Sequence, residues 1–562
     1  MDQKNVVYEN ASQRKTYVGY VFDIGEHAKK EEILASLPSK WAELHKDGHI
    51  HIHDLDAYGL TYNCLTFDLF NKFPYSDYKG LSDSRKILKL FSFFKEIVSK
   101  VGNEQSGGMA FPNFDCELSR LIDELDICYN DGIKTLVSDC ISDFLEWCNN
   151  SHERMGQVSY YITLNIGLAD NEIAQSICEM VIRNFGSLPK TVFKPNIVFK
   201  VKEGINYNPG DRNYYLLELA LDCSSRKMIP TYLLCDCPSD REIDPKLLSV
   251  MGCRTRVVDD IYGHPGAIGR GNIDNITINL PRLAFETKNE MSDSDNAIDI
   301  FKKKWLGVAD IIKEILLDRY YRTLSQSPND FPTVVKYGLW AEGLKDTKET
   351  FRHGTLSIGF IGLSEAFEIL FGKRFYEDQE LIDKALEFVS FMRDYTNTCR
   401  DRYVLNFSLL ATSGELISGR FPKLDSNYFG NPILEKGYYT NSFHVNVDSG
   451  LTALEKIAIE GSFHKYCNGG SISYVELGEA PIGNVEGLME MLTCAHDSGT
   501  RYLGFNYPLD ICKKCGESGV FDTCPVCNSD EITRIRRVSG YLEILDYFVE
   551  GKKNEVRERR RN

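Results

Sequence analysis

Near the end of the chain four cysteines fall in two tight pairs, Cys512-x2-Cys515 and Cys524-x2-Cys527, separated by eight residues. Four thiolates delivered by two turns suit tetrahedral Zn²⁺, and a site closed by four protein sulfurs has a structural job. Directly after it comes Arg534-Ile535-Arg536-Arg537-Val538-Ser539-Gly540-Tyr541-Leu542, a glycine set between polar and aromatic neighbours. The spacing predicts a metal-braced platform at 506–532 that fixes a loop and tail at 533–562. Read in isolation, the cysteine module is also compatible with a zinc ribbon that binds other molecules, nucleic acid included.

The remaining residues, 1–505, supply ample material for a large core. The chain has 562 residues, 43% of them hydrophobic, with 31 Phe and 30 Tyr, ordinary for a globular protein. A formal net charge of -16 repels polyanions, so duplex nucleic acid is disfavoured as the main partner. The first residues are polar, with neither a signal-type apolar run nor a membrane-length segment, which reads as a cytoplasmic protein. Seventeen cysteines in such a chain point to thiols, metal ligands or redox chemistry rather than a disulfide scaffold. Cys116, Cys128, Cys140, Cys148, Cys178, Cys223 and Cys399 fall in segments that read as helical, where cysteine acts as a small hydrophobe.

Residues 1–27 read as a polar arm and 28–47 as helical around Pro38, with Gly48 as the terminating cap. His49-Ile50-His51-Ile52-His53 alternates with period two and predicts a strand with three imidazoles on one face. Those imidazoles suit a metal, a polar pocket or structural hydrogen bonds. Apolar residues from Ile87 to Val101 at three- and four-residue spacing predict an amphipathic helix. Further helices are expected at 116–149, 171–184 and 212–227, with strands at 197–201 and 276–280. Strands alternating with long helices indicate an α/β protein with a mainly parallel sheet.

Ser249 to Thr255 and Gly263 to Asn272 are glycine-dense and predict loops with close backbone approaches. They match neither a P-loop nor a dinucleotide fingerprint. Cys253 on such a loop is better placed for chemistry than a cysteine in a helix. Gly354 to Glu365 reads as a strand entering a helix. Tyr439 to Val445 precedes a helix opened by Thr452, with Glu455 three residues on as a capping box. Hydroxyls and amides ahead of helix starts are suitable phosphate hooks or ordinary turn residues.

The run Arg536 to Leu542 resembles the radical-bearing motif of glycyl radical enzymes. With the four-cysteine site before it, the tail resembles that of the anaerobic (class III) ribonucleoside-triphosphate reductases. Gly48 to Cys64, Glu104 to Gly108, Met251 to Thr255, Asn279 to Arg282, Tyr439 to His444 and Gly504 to Pro508 extend the likeness, in order, over nearly the whole chain. The resemblance implies a ten-stranded α/β barrel of two parallel five-stranded halves, with Cys253 on a central finger loop and a helical region used in dimerisation. It assigns the stored radical to Gly540, the thiyl position to Cys253, and the cysteine on the opposite face of the ribose to Cys64. Asn272 matches an active-site asparagine of the formate-using branch. His51, His53, Thr440, Asn441 and Ser442 become expected substrate contacts, with phosphate hooks in the last three.

The implied partners are ribonucleoside triphosphates, dNTP effectors, a second copy in a homodimer, and an S-adenosylmethionine/iron–sulfur activase that installs the radical. Arg536, Arg537 and the basic end from Arg557 to Arg561 either meet that activase or are simply solvated. With the barrel motif beginning by His49, no amino-terminal ATP-cone domain is expected, nor on/off dATP control through one. Met251 beside Cys253, with Asn272, favours formate as reductant. The lack of any methionine after Met491 and the thiols Cys235 and Cys237 leave a thioredoxin- or glutaredoxin-like donor open. A formate-lyase type of glycyl radical enzyme and a zinc-ribbon binding protein are the alternatives, disfavoured by the separated single cysteines Cys64 and Cys253 and by the acidic charge.

Overall fold

The computed structural model describes Glu9 and residues 16–151, 159–292, 296–537 and 539–560. Strands β1 (Ile50–Ile52), β2 (Cys64–Thr66), β3 (Met109–Phe111), β4 (Ile162–Ile166), β5 (Asn196–Val201), β6 (Thr231–Leu234), β7 (Gly271–Asn279), β8 (Thr355–Ile361), β9 (Asn406–Ala411), β10 (Ser473–Glu476) and β11 (Tyr502–Asn506) form one eleven-stranded sheet. β2 to β6 run parallel in sequence order. β7, β8 and β9 are likewise parallel, as are β10 and β11. The two sets meet antiparallel at β2–β7 and at β6–β11. A parallel bridge from Leu410 to Gly470, just ahead of β10, closes the ring.

This is the expected barrel of two five-stranded parallel halves. β1, antiparallel on β7, is the strand expected from the alternation at 49–53, and it adds an eleventh to the ten of the barrel. The central strands β4 and β5 are buried along their whole length, as parallel strands are when helices cover one face and a filled interior the other. The filling is partly polar: Asn165 and Lys200 are fully buried.

The helices follow the sequence pattern with shifted edges. Asp83–Val101 buries Ile87, Leu90, Phe91, Phe94, Ile97, Val98 and Val101, the expected apolar stripe apart from Leu88, which is exposed. Helix 116–149 is in fact two, Phe114–Glu124 and Asp131–Asn150, and Cys128 lies exposed between them. The polar arm is shorter than expected, since a helix already spans Tyr17–Ser36. Pro38 then separates it from Ser39–Asp47, which Gly48 caps in the left-handed region at φ 89°. Helix Ala453–His464 opens with the expected box of Thr452 and Glu455. No helix among the described residues is long and apolar enough to cross a membrane.

After β11 the chain forms a small antiparallel sheet from β12 (Leu509–Cys512), β13 (Ser518–Gly519), β14 (Ile532–Arg537) and β15 (Leu542–Ile544), ordered β13-β12-β14-β15. Gly540 lies at the tip of the β14–β15 hairpin. Its base is fixed by buried pairs: Lys194 Nζ to Glu543 Oε2 at 2.8 Å and Arg536 Nη2 to Asp510 Oδ1 at 2.7 Å. The last helix, Glu550–Glu558, lies on helix Leu416–Asp425, where the backbones of Gly551 and Gly419 touch.

Candidate active site

The segment between β6 and β7 turns back into the barrel as a finger. Met251 and Thr255 pair across it through reciprocal backbone hydrogen bonds of 3.1 Å, and Gly252 takes the positive φ of 57° that the tip needs. Its root is clamped by Asn165, whose Nδ2 donates to Val250 O and whose Oδ1 accepts from Val250 N, both at 3.1 Å. Two glycines in the β2–β3 connection make room for the tip. A Cβ on Gly108 would lie 2.8 Å from Gly252 Cα, and one on Gly107 would lie 2.7 Å from Cys64 Sγ. Cys64, Ala110, Met251 and Val257 pack there as one apolar cluster.

The β14–β15 hairpin reaches the same tip. A Cβ on Gly540 would fall 1.9 Å from Cys253 O and 2.4 Å from Cys253 C and Cα, inside any permissible contact, so only glycine allows the two backbones to touch. The adjacent Ser539 Oγ lies 3.1 Å from Cys253 Sγ and donates to Glu415 Oε1 at 3.0 Å, which also accepts from Tyr541 OH at 2.6 Å. Arg537, 1% exposed, donates from Nη1 to Gly540 O at 3.1 Å and from Nε to Asn506 Oδ1 at 2.6 Å. Burial, followed by the charge of Glu415, raises the Cys253 thiol above its ordinary value, against hydrogen bonds from Ser539 and the Gly540 amide. Cys253 therefore keeps its proton at neutral pH, and a hydrogen atom, rather than a thiolate, is what it can exchange.

Cys64 begins β2 opposite Asn272 of β7. Its Sγ accepts from Gly108 N at 3.2 Å and donates to Asn63 Oδ1 at 2.9 Å. The Asn272 amide is turned along the sheet, donating to Thr355 Oγ1 at 2.9 Å and Ser357 Oγ at 3.0 Å. The finger tip thus meets Cys64 through Met251 and the hairpin through Cys253, and Asn272 shares its strand register with Cys64.

Tyr439 to Val445 meets the other end of β8, where Asn441 bridges Ile361. Thr440 is held by the buried Glu365, to which its amide and hydroxyl both donate, at 3.1 and 2.6 Å. Ser442 adopts φ 46°, and its buried hydroxyl has no hydrogen-bond partner among the described residues. Asn441, with its amide oriented to satisfy its neighbours, donates to Gly414 O and accepts from Lys552 Nζ, both at 3.0 Å. His51 and His53 converge on the carboxylate of Glu9: His51 Nε2 lies 2.9 Å from Oε2, His53 Nδ1 lies 2.6 Å from Oε1, and His53 Nε2 lies 2.9 Å from Thr277 Oγ1. Burial pushes His51 down to about 4; at His53 the Glu9 carboxylate outweighs burial and raises it.

In the tail, the sulfurs of Cys512, Cys515, Cys524 and Cys527 all lie within 4.8 Å of one another. Cys512 to Cys527 and Cys515 to Cys524 are 3.5 Å apart, too long for disulfides. Tetrahedral zinc with bonds of about 2.3 Å requires sulfurs about 3.8 Å apart, so the four thiols fit the metal. Within this set of mutually hydrogen-bonded thiols Cys512 is held down at about 6, chiefly by hydrogen bonding from the Cys515 amide, whereas Cys515 and Cys527 are raised.

Several residues here carried no sequence signal. Glu415 and Asn165 are lone polar residues in unremarkable surroundings, and their partners lie far away in the chain. Arg537 is neither solvated nor available to a partner protein; it is buried around the Gly540 carbonyl. Arg559 likewise turns inward, donating to Arg537 O at 2.9 Å.

The family model described as anaerobic ribonucleoside-triphosphate reductase matches residues 9–561. An anaerobic ribonucleoside-triphosphate reductase of Haemophilus influenzae is 29% identical, with 100% of this chain and 84% of that protein covered. The protein of the same name from Enterobacteria phage T4 is 28% identical over 96% of this chain and 94% of its own length. Among solved structures, the anaerobic ribonucleotide reductase from Thermotoga maritima in complex with dATP and CTP superimposes with a TM-score of 0.72 at 16% identity, covering 96% of this chain and 92% of that one, a likeness of fold.

Proposed function

The chain belongs to the anaerobic ribonucleoside-triphosphate reductase family and is an oxidoreductase that reduces ribonucleoside triphosphates; on that premise we propose that its chemistry runs between Gly540, Cys253 and Cys64. The close approach of the Gly540 and Cys253 backbones carries this reading. A radical at Gly540 Cα takes the hydrogen atom from the Cys253 thiol, forming a C–H bond and leaving a thiyl radical. The thiyl abstracts the ribose 3' hydrogen. Cys64 supplies a proton as the 2' hydroxyl leaves as water, while the 3' hydroxyl gives up its proton to become a ketone. Formate then delivers a hydrogen atom to C2' and an electron that, with a proton, restores the 3' hydroxyl and its carbon radical. Cys253 returns the hydrogen to C3' and takes one from Gly540, regenerating the glycyl radical, while solvent reprotonates Cys64. Asn272 positions the reductant, and His51, His53, Thr440, Asn441 and Ser442 contact the nucleotide.

Formate, leaving as carbon dioxide, supplies the two electrons. Cys235 and Cys237, the thiols open to a dithiol route, are 0% and 1% exposed, out of reach of a protein donor. The division of labour runs from a catalytic barrel at 1–505 through a zinc module at 506–532 to a radical loop and tail at 533–562. Zinc bound by the four cysteines fixes the hairpin and takes no part in the chemistry. A radical-SAM activase, dNTP effectors at a homodimer interface and a cytoplasmic location complete the reading. The test is to activate the full chain anaerobically, record the glycyl EPR doublet and assay CTP reduction with formate or with a dithiol donor. A doublet with formate-dependent dCTP is expected; a doublet without nucleotide turnover would refute the assignment.

A further inference from the structure

Two residues past β1 the chain turns sharply at Asp54, a non-glycine residue in the left-handed region at φ 47° and ψ 51°. A backbone of this kind is costly for a residue with a side chain and persists only where its surroundings enforce it. Here Arg319 does so. It is 1% exposed, donates from Nη1 to His53 O at 2.6 Å and from Nη2 to Asp54 O at 3.4 Å, and pairs with Asp274 Oδ1 at 2.7 Å. The turn aims the Asp54 carboxylate at the residue before Cys64. Oδ2 accepts from Asn63 Nδ2 at 2.8 Å and from Ser106 Oγ at 3.1 Å. The other end of the same amide, Asn63 Oδ1, accepts the Cys64 S–H at 2.9 Å. The amide is closely packed, since a Cβ on Gly107 would lie 2.8 Å from Asn63 Oδ1.

A carboxylate only accepts, whereas an amide has a donor end and an acceptor end. Turned over, Asn63 would set its oxygen against Asp54 Oδ2 and its N–H against the sulfur, so Asp54 decides which end Cys64 meets. We propose that Asp54 is the positioning residue for the Cys64 proton: through the Asn63 amide it presents an acceptor to the thiol, which favours S–H over thiolate and keeps the proton on Cys64 until the ribose 2' hydroxyl departs. With the amide reversed, Asn63 Nδ2 would join the Gly108 amide, already 3.2 Å from Sγ, in stabilising the thiolate. Cys64 would then lose its proton before the leaving hydroxyl needs it. The strained turn at Asp54 is thereby tied to the chemistry three elements of chain away, since it alone brings this carboxylate onto the amide.

The inference rests on the role given to Cys64 above, and its test separates the two. Asparagine tolerates the left-handed backbone, so Asp54→Asn keeps the turn while offering the Asn63 oxygen a donor and freeing the amide to reverse. In the full-length, unactivated protein at neutral pH, alkylation of Cys64 by iodoacetamide is followed by peptide mass spectrometry relative to Cys494 in the same sample. Asp54→Asn is expected to speed Cys64 alkylation about tenfold, because the thiolate is the nucleophile. After activation it is expected to lower CTP reduction per glycyl spin about a hundredfold, the scale of a lost general acid, with the KM for CTP within about threefold of wild type. In an Asn63→Ala background the same change is expected to alter alkylation less than about twofold, since the amide that carries the effect is gone. Unchanged Cys64 alkylation in Asp54→Asn, with or without a loss of turnover, overturns the positioning role, and so does an equal acceleration in the Asn63→Ala background. Faster alkylation with turnover within about threefold of wild type overturns its part in the reaction. If the alkylation pattern is as expected but the activated wild-type protein makes no dCTP, the reading of Cys64 as the acid of a reductase fails while the Asp54–Asn63–Cys64 orientation stands.

Discussion

Gly108→Ala isolates the position of the finger tip from every other feature of the site. Gly108 does not adopt a positive φ, so alanine costs nothing in backbone strain there, and the substitution acts through its methyl group alone. That methyl would lie 2.8 Å from Gly252 Cα, 3.0 Å from Gly252 N and 3.2 Å from Tyr161 O. Comfortable carbon contacts begin at about 3.5 Å, so the tip must retreat by roughly 0.7–1 Å. Displacements of about 1 Å in a reacting group cost on the order of 10²-fold in rate, or about 3 kcal/mol in barrier, and Cys253 is the residue next to Gly252. Overpacking should also destabilise the fold by about 1–3 kcal/mol, measurable as a lower Tm. CTP reduction, expressed per glycyl spin counted by EPR, is expected to fall about a hundredfold while the spin signal keeps its shape. Turnover per spin within about threefold of wild type would refute the claim that this glycine sets the tip.

Cys512→Ser is expected to release the metal, read by elemental analysis, and to abolish radical formation while leaving nucleotide binding to the unactivated protein intact. Arg537→Met leaves the Gly540 carbonyl and the Asn506 amide oxygen without their buried donor, a loss of about 2–4 kcal/mol; the expected result is a Tm several degrees lower and deuterium uptake concentrated in 533–544. Glu117, buried with Oε2 unpaired among the described residues, is pushed up by burial to about 8. Its folded value lies above its ordinary one, so the native state holds the proton more tightly and stability falls as pH rises from about 4.5 to 8. Glu117→Gln should therefore raise Tm at pH 8 relative to wild type and have little effect at pH 4.5, as followed by calorimetry.

Local pattern made much of this molecule readable in advance. The stripe from Ile87 to Val101, the box at Thr452 and Glu455, and the paired cysteines each depend on residues a few positions apart. The site depends on pairs separated by hundreds of residues, such as Lys194 with Glu543 and Cys253 with Gly540, and spacing carries no record of those. Resemblance to a family supplied Cys64, Cys253 and Gly540 because they lie in recognisable motifs. It supplied neither Glu415, nor the turn of Arg537 and Arg559 inward, nor Glu9 between His51 and His53. Charged residues near a chain end read as solvated; here the tail folds back on the barrel and they are buried by each other.

The ring of strands closes late in the chain. Between β9 and the run entering β10 it is closed by two backbone hydrogen bonds, Gly469 N to Leu409 O at 2.9 Å and Ala411 N to Gly470 O at 3.0 Å, and the last barrel strand, β11, must also find β6 from the first half. The first junction waits for residue 470 and the second for residue 503, and the hairpin bearing Gly540 emerges only after both. During synthesis the barrel wall can therefore assemble around the finger before the glycine arrives, and such late, long-range closures are the slow steps of folding. A chain that stalls or is cut before β11 exposes Cys253 in an open trough with no hairpin to meet it, so an incomplete product is inert rather than a source of stray radicals.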